Sequence, residues 1–416
     1  MQNKWLLVCW AGIHAAAGIA QNALSTADVL ASARRDMAVI LQAEQMDYAR
    51  QTAPRLPFVE QVGLRTETDR FDWQRQEFLA RLNVNGLKEM RRQGQYQQSV
   101  QQLAGLQYQG LLHEALAKRY AALIQYRYLQ RQIAVSNRLL LVYQDEINVL
   151  QKRAALNAGV DIAAILKAEY ERDELALQLS GASDRLQQLR KAIQLQAQLP
   201  SDQWELDTTG FVRPDQIIGI ASSLPDVPEN NPGLAGQAAK IARQEAAYLL
   251  EKAQAQQVLD FVQLRHNNRP DDPFGQNLSI GLGINLPFKG TSSYKLAVLK
   301  IEKSAAVAEL ELERVARNLD LDDARAGITA QDAQRRIALE QMENSQARFT
   351  LQQAAMGQTA DPEVLLRAKE LLLKRESRLL EIERELYDQY LYLLDRSGAL
   401  SATPSVNYLS AARNAF

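Results

Sequence analysis

The sequence predicts a mainly α-helical protein made of two related halves, each with a pair of β-strands and a long helical hairpin. The first observation is a repeat. Leu166–Ala168 and Leu366–Ala368 share the pattern leucine, basic residue, alanine, and their alanines are 200 residues apart. The second is a pair of long proline-free helical patterns, and the third is a period-two alternation before each of them. A repeat of this length indicates a duplicated domain half.

The composition is that of a folded protein without a strong electrostatic bias. Of the 416 residues, 46% are hydrophobic and 23% are charged, which excludes a disordered chain. Lys and Arg together number 48 and Asp and Glu number 49, so the net charge is −1. A chain without a basic field is not expected to bind nucleic acid.

Residues 1–20 have the pattern of a secretory signal peptide. Lys4 precedes the mostly apolar run Trp5–Ile13, and a small residue at Ala20 fits a cleavage site before position 21. The alternative is a cytosolic amphipathic start, although the residues after the run are almost free of charge. Cys9, the only cysteine, lies inside this segment, so a processed chain would have no disulfide.

Two long helical patterns contain no proline. They extend from Leu87 to about Ala158 and from Thr291 to Met356, and each predicts a rod on the order of 100 Å. Shorter returning helices are expected over 161–198 and 362–397, after glycine turns. Heptad spacing in the first rod indicates coiled-coil packing along two seams. One seam consists of Tyr126, Ile133, Leu140, Ile147 and Ala154, and the other of Leu129, Tyr143 and Leu150, with Ser136 as an interruption.

A β-hairpin is predicted before each rod. Residues 278–286 alternate strictly between apolar side chains and Gly, Ser or Asn, and residues 78–84 repeat the pattern less cleanly. Each run has an upstream strand-like partner, Phe58–Thr66 or Leu259–His266, across a polar turn. We therefore expect four strands in the chain. The two hairpins are expected at about 57–86 and about 259–287.

The strand patterns leave two interpretations open. In the first, the hairpins cap an ordinary soluble α+β domain. In the second, their continuous apolar face meets lipid, because the runs match the roughly 9 to 11 residues of a membrane-crossing strand. Four strands cannot close a membrane barrel and open edges are not tolerated in lipid, so the second interpretation requires a homo-oligomer. Candidates for aromatic girdles at the membrane interfaces are Phe58, Phe71, Trp73, Phe261, Phe274 and Phe288.

Proline, glycine and acidic residues separate the two halves. We expect the first repeat over residues 21–199, an irregular linker over 200–233 and the second repeat over 234–397. The tail, residues 398–416, is expected to be irregular as well. Linker and tail are expected to form a belt around the middle of the rods.

The order of these features, present twice, resembles the TolC-like outer membrane efflux protein family. The resemblance covers essentially the whole chain after the signal peptide. It includes paired strands that end in Gly281–Phe288, a long helix, a glycine turn and a Leu-x-Ala segment. The last helix also resembles the family's ending, with Tyr387, Tyr390 and Tyr392 before Asp395–Gly398.

The resemblance implies both a fold and a function. The fold would be mainly α-helical with a membrane β-barrel portion, in which three chains each supply four strands to one twelve-stranded barrel. The protein would lie in the outer membrane of a Gram-negative bacterium and extend into the periplasm. It would be a passive exit duct of a tripartite efflux or type I secretion system. Its partners would be a periplasmic adaptor and an inner-membrane pump of the RND or ABC type, and its cargo is not implied.

The resemblance also assigns roles at the helical tips. The tips would contact the adaptor, or their glycines would serve only as helix caps. Residues beside them would form a periplasmic gate, although Lys167 and Arg367 stand beside the position of a family acidic ring and would equally form surface salt bridges. The tip residues are Asn157, Ala158, Gly159, Val160, Met356, Gly357, Gln358 and Thr359. The candidate gate residues are Asp361, Glu363, Val364, Arg367 and Lys167.

The two strand faces would have different environments in such a barrel. The polar face would line the lumen and tune conductance, while the apolar face would meet outer-membrane lipid. The expected lumen residues are Glu77, Arg81, Asn83, Asn277, Ser279 and Asn285. The expected lipid-facing residues are Leu278, Ile280, Leu282, Ile284 and Leu286.

Residues arranged for catalysis or metal binding are not evident in the sequence. His14, His113 and His266 are far apart and have no partners at metal-ligand spacing, so we expect no metal site and no cofactor. No Ser/His/Asp or paired-carboxylate arrangement stands out, and we expect no enzymatic activity. Two other classes remain open: a soluble secreted coiled-coil scaffold or adaptor, and a secreted enzyme, which the missing catalytic residues disfavour.

Overall fold

A computed structural model describes most of the chain. The described residues are 22–51, 56–68, 76–156, 162–199, 204–224, 231–267, 277–284, 291–357, 361–402 and 405–416. The predicted signal peptide lies outside these ranges. So do Asn157, Ala158, Gly159 and Val160 of the first tip and Gln358 and Thr359 of the second.

Helices dominate the described residues. They are α1 (Thr26–Ala31), α2 (Met37–Gln51), α3 (Leu87–Ala155), α4 (Ile162–Ala197), α5 (Pro214–Ser223), α6 (Pro232–Ala255), α7 (Thr291–Glu343), α8 (Gln346–Ala355) and α9 (Pro362–Ser397). The proline-free rods α3 and α7 contain 69 and 53 residues, and the returning helices α4 and α9 contain 36 each. The predicted mainly helical fold class with long hairpins is confirmed.

The strands of the described residues form two sheets. They are β1 (Asn22–Leu24), β2 (Val59–Thr68), β3 (Gln76–Val84), β4 (Trp204–Leu206), β5 (Leu259–Asn267) and β6 (Leu278–Ile284). Strands β2, β3, β5 and β6 pair in that order, antiparallel throughout, in one four-stranded sheet. Both predicted hairpins are therefore present, and the pairing of β3 with β5 joins them. β1 and β4 pair in parallel as a separate sheet.

The chain divides into two compact units. One consists of Met1–Val39, Leu112–Pro228 and Arg317–Phe416, and the other of Ile40–Leu111 and Glu229–Ala316. We call the first unit the hairpin unit. It contains α3 from Leu112 onward and α7 from Arg317 onward, together with α4, α8 and α9. The second, the sheet unit, contains the four-stranded sheet and α6. Each unit draws on both halves of the sequence.

In the hairpin unit, α9 packs against α3 along an antiparallel ladder of ion pairs. The seven-residue spacing of Arg131 and Arg138 on α3 recurs in Glu376 and Glu383 on α9, so the heptad registers of the two helices match. The Nη-to-Oε distance is 2.6 Å in each of the three rungs Arg131 to Glu383, Arg138 to Glu376 and Arg153 to Glu363.

The core of α3 is broader than the two predicted heptad seams. Besides the ladder to α9, α3 contacts α4 through Ile147, Leu150 and Ala168, which form one buried cluster. A helix with two neighbours buries a wider stripe than a coiled-coil seam. Ile133, Leu140 and Ala154 of the predicted seams are half-buried, whereas Val135, Leu139 and Val142, which belong to neither seam, are buried.

The second rod is shorter than predicted. Residues 344–345 separate α7 from α8, whereas the sequence pattern predicts one rod to Met356. Ser345 is the N-cap of α8, and its hydroxyl accepts a hydrogen bond from the backbone amide two residues on, at 3.2 Å. Arg375 of α9 donates to the carbonyl of Gln341 in the last turn of α7. The uninterrupted rod is therefore a wrong prediction, because a serine cap and a donor from another helix end α7 without proline or glycine.

The linker expected to be irregular contains a strand, β4, and a helix, α5. Pro214 occupies the first turn of α5, and the Gln216 side chain accepts a hydrogen bond from the Arg213 amide at 3.0 Å. Ile217 and Ile220, three residues apart, are buried on one face of the helix. The prediction of an irregular linker is wrong, because burial of this apolar face outweighs the turn-forming composition.

The linker and the tail attach to the long helices of the hairpin unit. The Val212 amide donates to the Leu409 carbonyl at 2.7 Å, and Tyr387 of α9 donates to the Val212 carbonyl. Tyr120 of α3 donates to the Val406 carbonyl at 3.0 Å. These hydrogen bonds join the linker and the tail to each other and to α3 and α9.

Candidate functional site

The four-stranded sheet has an apolar face. Residues paired directly across antiparallel strands lie on the same side, so the register assigns each row to one face. On β6, Leu278, Ile280, Leu282 and Ile284 are 41%, 74%, 64% and 64% exposed, which is far above the exposure of a core face. Two entirely apolar rows cross all four strands: Val62, Leu82, Val262 and Leu282, and next to it Leu64, Ala80, Leu264 and Ile280. A third row is mixed and contains Thr66, Phe78, His266 and Leu278.

The opposite face of the sheet is mainly polar. Arg65 forms an ion pair with Glu67, and Arg265 forms one with Glu77. Arg81 donates from Nη2 to Gln263 Oε1 at 3.1 Å. The rows of this face are Gln61, Asn83, Phe261 and Gly283; Gly63, Arg81, Gln263 and Gly281; Arg65, Leu79, Arg265 and Ser279; and Glu67, Glu77 and Asn267.

A network of four charged side chains lies where α3 ends and α9 begins. Glu363 accepts from Arg153 Nη1 at 2.6 Å and forms a second ion pair with Arg367 Nη2, through its other oxygen, at 2.7 Å. Arg153 also forms an ion pair with Asp361, the N-cap of α9. Each carboxylate therefore has a guanidinium partner, and the network connects the last turn of α3 with the first turn of α9.

A second network joins α3, α4 and α9 farther from the helix ends. Lys374 Nζ lies 2.7 Å from Glu370 and 3.1 Å from Glu171, while Tyr143 donates to Glu370 at 3.3 Å. Burial lowers the pKa of Lys374, but hydrogen bonds with Glu370, Tyr143 and Glu171 outweigh it and raise the pKa above its usual value. This lysine therefore remains protonated and links α9 to α4.

Glu146 is a buried carboxyl on α3 among other acidic groups. Burial raises its pKa, and the negative charges of Glu370, Glu171 and Glu363 raise it further, against the opposing charge of Arg367. Ionised Glu146 therefore disfavours the folded arrangement of this region.

His113 makes two polar contacts that the sequence did not indicate. Its Nε2 is 2.9 Å from Asp395 and its Nδ1 is 3.1 Å from Ser401, so α3 is tied to the end of α9. Burial raises the pKa of Asp395, but the hydrogen bond and charge of His113 and the charges of nearby arginines outweigh it, and the pKa lies below its usual value. The His113 side chain is only 12% exposed, which leaves little room for a substrate, and we interpret the contact as structural.

In the described ranges, no group of three or more His, Cys, Asp or Glu residues is arranged to hold a metal ion. Among the helices of those ranges, none combines the length and the apolar content needed to cross a membrane.

Solved structures resemble this chain although its sequence has no close match. No protein-family model matches the sequence, and no curated protein matches it. The MtrE outer-membrane channel of Neisseria gonorrhoeae matches with a TM-score of 0.66, 13% identity and coverage of 90% of this chain and 88% of MtrE. The VceC outer-membrane protein of Vibrio cholerae matches with a TM-score of 0.64, 16% identity and coverage of 89% and 95%. CusC matches with a TM-score of 0.65, 13% identity and coverage of 90% and 92%.

These three are outer-membrane channels of the TolC type. The chain has the TolC-like channel fold. The likeness covers nearly all of the chain and nearly all of each solved structure. At these sequence identities the likeness concerns the fold.

The described strand residues of this TolC-like fold include most of the expected lumen and lipid sets. Glu77, Arg81, Asn83 and Ser279 share the polar face. Asn277 precedes β6 and is buried, and its carbonyl accepts from the Asn267 amide at 2.9 Å. The four described residues of the lipid set share the apolar face. Asn285 and Leu286 lie outside the described residues.

One girdle candidate lies on the other face of the sheet. Phe261 pairs with Asn83 and Gly283 and so belongs to the polar face, where its ring lies below the Arg81 guanidinium. Its assignment to a lipid-facing girdle is therefore wrong. The strand register decides the face, whereas the sequence placed Phe261 only near a strand end.

The described tip residues, Met356 and Gly357, directly follow α8. Gly357 has a φ of 84°, a left-handed conformation that glycine adopts without a Cβ clash. Its amide donates to the Ala354 carbonyl at 3.1 Å, and Met356 beside it is highly exposed. Gly357 is therefore a helix cap in a position that also exposes an apolar side chain.

The structure brings together three of the five candidate gate residues. Asp361, Glu363 and Arg367 belong to one network, while Val364 is exposed beside them. Lys167 lies apart, on α4, 3.9 Å from Glu171. The sequence did not single out Arg153 as a partner in this network. A basic residue in the last turn of one helix and two acidic residues at the start of its antiparallel neighbour were the available signal.

Proposed function

We propose that the protein is a passive outer-membrane exit duct of a tripartite efflux or type I secretion system. It would receive cargo from an inner-membrane pump, of the RND or ABC type, through a periplasmic adaptor. The observation that carries the proposal is the four-stranded sheet, with an exposed apolar face and an opposite face that carries most of its charged residues. The likeness to outer-membrane channels along nearly the whole chain supports it.

The sheet suits a membrane barrel in strand length and in surface chemistry. Strands β2, β3 and β5 contain 10, 9 and 9 residues, which matches the roughly 9 to 11 residues of a membrane-crossing strand. Barrel strands alternate between lipid-facing apolar residues and lumen-facing polar ones. The apolar residues of β6 would thus face lipid: Leu278, Ile280, Leu282 and Ile284. Leu286 would continue this apolar series along the chain.

The open edges of the sheet favour assembly from several copies. Within the described residues, β2 and β6 each pair with one strand, so one edge of each lacks a partner. Unpaired backbone groups are not tolerated in lipid. Three copies that pair β6 of one with β2 of the next would close twelve strands.

An apolar stripe on α7 supports the same assembly. Tyr294, Ile301 and Val315 fall on one heptad series, and Leu312 and Leu319 on a second; each is more than half exposed. Two adjacent heptad series form the seam of a coiled coil, and such a seam is normally buried by another helix. We infer that α7 packs against another copy of the chain.

We assign the helical tips to the adaptor and the neighbouring ion pairs to a gate. Exposed Met356 offers an apolar contact next to Gly357. Asn157, Ala158, Gly159, Val160, Gln358 and Thr359 would complete the tip surface. The network of Arg153 with Asp361 and Glu363 would hold α9 against α3 in the closed state.

A pair of matched substitutions tests the proposal. Ile280→Lys places a charge on the apolar face, where lysine in mid-membrane costs about 2 to 4 kcal/mol, whereas Ser279→Lys places the same charge on the polar face. We expect the wild-type protein and the Ser279→Lys variant in outer-membrane fractions as heat-modifiable trimers that conduct ions in planar bilayers. The Ile280→Lys variant should be strongly depleted there.

The opposite result would favour a soluble protein. Recovery of the wild-type chain as a periplasmic monomer, with both lysine variants behaving alike, would contradict the proposal. It would favour the alternative class, a soluble coiled-coil scaffold or adaptor.

A further inference from the structure

Arg81 occupies a central position on the polar face of the sheet. It lies on β3, one of the two inner strands, in the row with Gly63, Gln263 and Gly281. If this face lines a pore, as proposed above, the guanidinium borders the lumen in every copy of the chain.

The charge of Arg81 is not neutralised by a carboxylate within the described part of the sheet. The other two arginines of this face, Arg65 and Arg265, form ion pairs with Glu67 and Glu77. Arg81 instead donates to the neutral amide oxygen of Gln263, and its guanidinium carbon lies 3.8 Å from the centre of the Phe261 ring. Both contacts orient the cation and leave its charge in place.

Two glycines of β6 explain why Arg81 is held in this way. A Cβ at Gly283 would lie 2.2 Å from the Phe261 ring, and a Cβ at Gly281 would lie 2.7 Å from Gln263 Nε2. Only a residue without a side chain leaves space for these two neighbours. The side chains of Gln263 and Phe261 therefore pack against the backbone of Gly281 and Gly283, and both side chains contact Arg81.

We propose that Arg81 sets the charge preference of the pore and favours anions. The inference rests on the proposed channel function. The substrate class comprises small inorganic anions and cargo that carries carboxylate, sulfonate or phosphate groups. In a trimer, three guanidinium groups, each about 10 Å from a permeating ion, would attract anions and repel cations across an aqueous lumen. At about 0.1 M salt this should raise the anion-to-cation permeability ratio by roughly fourfold. Gln263 and Phe261 act as positioning residues.

The test measures reversal potentials of purified protein in planar bilayers under a KCl gradient. Arg81→Gln should lower the chloride-to-potassium permeability ratio by roughly fourfold at low salt, and the difference should shrink as salt rises. Gln263→Glu should have the same effect, because it places a carboxylate where Arg81 already donates a hydrogen bond. It keeps the side-chain shape, so it also serves if Arg81→Gln fails to assemble.

Two control variants separate charge from shape. Arg81→Lys keeps the charge and should keep the ratio. The double variant Arg65→Gln with Glu67→Gln removes an ion pair without changing net charge, and it should also keep the ratio.

The outcomes separate this inference from the channel function itself. Conducting pores in which both Arg81→Gln and Gln263→Glu retain the wild-type ratio would overturn the role of Arg81 and leave the channel function intact. Absence of conductance in the wild-type protein would overturn both.

Discussion

Arg153 on α3 donates to Glu363 on α9 with 2.6 Å between Nη1 and Oε2. The pair connects the last turn of one long helix with the first turn of its antiparallel neighbour. Both side chains are partly exposed, and such ion pairs contribute at most about 1 kcal/mol. An interaction of this size would hold the two helices together in the closed state of the proposed channel and would still allow them to separate, as the proposed gate requires.

If the protein is the channel proposed above, we predict that Arg153→Ala shifts it towards the open state. The substitution removes the cation that Asp361 and Glu363 share, and of the two carboxylates only Glu363 then keeps a guanidinium partner, Arg367. Loss of about 1 kcal/mol corresponds to roughly a fivefold change in the ratio of open to closed states. Single-channel recording in planar bilayers measures this ratio.

The control is Arg138→Ala, which breaks a comparable ion pair, with Glu376, away from the helix ends. It should leave the open-to-closed ratio near that of the wild type. Equal effects of the two substitutions would argue against a gate at Arg153.

We predict that Gly283→Ala destabilises the sheet. The added methyl group would meet the Phe261 ring at 2.2 Å, so the ring and the Arg81 guanidinium above it must move. Overpacking of this kind costs about 1 to 3 kcal/mol. The temperature at which the assembled protein dissociates on heating should fall.

The matched glycine is Gly94, in the interior of α3, where an added Cβ meets nothing within 4 Å. Gly94→Ala should raise stability by about 0.5 to 1 kcal/mol, because alanine is the better helix former. Combining Gly283→Ala with Phe261→Ala should cost less than the two separate effects together, since the clash disappears. Strict additivity would contradict the assigned contact.

We predict that Arg119→Ala strongly destabilises the hairpin unit. The Arg119 side chain is 1% exposed and donates to the hydroxyl and carbonyl oxygens of Ser32, at 2.9 and 3.2 Å. It also donates to the Ala115 carbonyl at 3.0 Å and lies 3.4 Å from Asp36. Removing it leaves buried acceptors without a donor, at a loss on the order of 3 kcal/mol.

Denaturant titration in detergent measures this loss, with Arg314→Ala as the control. Arg314 forms an exposed pair with Glu311 one helical turn away, worth less than about 0.5 kcal/mol. If the two substitutions lowered the free energy of unfolding equally, the stabilising role of the buried Arg119 hydrogen bonds would be contradicted.

We predict that Glu146→Gln stabilises the protein at neutral pH. Because the folded-state pKa of Glu146 is raised, the protonated form stabilises the fold below the unfolded pKa of about 4.3. That contribution is lost as the pH rises through the folded pKa. Glutamine should therefore raise the unfolding midpoint at pH 7 and change it little below about pH 4. Glu114→Gln, at an exposed pair with Lys118, should change little at either pH; an equal gain would contradict the role of burial.

The strands illustrate what could be predicted from the residues. Alternation over 278–286 predicted strand β6 and its apolar face, because strand periodicity is a local property. The face occupied by Phe261 could not be predicted in the same way, since it depends on a bulge in the register near Leu259. One residue of slip exchanges the two faces.

The helices likewise combine local patterns that could be predicted with boundaries that depend on residues distant in sequence. Helical patterns and their end signals predicted α3, α4 and α9 closely, yet the break at Ser345 was missed, because a donor on α9 completes it. The helix α5 in the linker was missed because burial of Ile217 and Ile220 depends on neighbours that are distant in sequence.

The candidate site divides in the same manner. The charges of Asp361, Glu363 and Arg367 were visible in the sequence, but Arg153, the partner of the two carboxylates, lies more than two hundred residues earlier. Lys167 has the same character as Arg367 in the sequence and still lies in a different network, with Glu171.

By itself, the sequence determined the duplicated halves, the long helices, the strand pairs and the apolar and polar faces of β6. The duplicated halves follow from a repeat along the chain, and the other features follow from periodicities over a few neighbouring residues. Only the tertiary structure decided which charges meet, where α7 stops and which face Phe261 shares with Arg81. These depend on strand register and on side chains brought together from both halves, which no local pattern encodes.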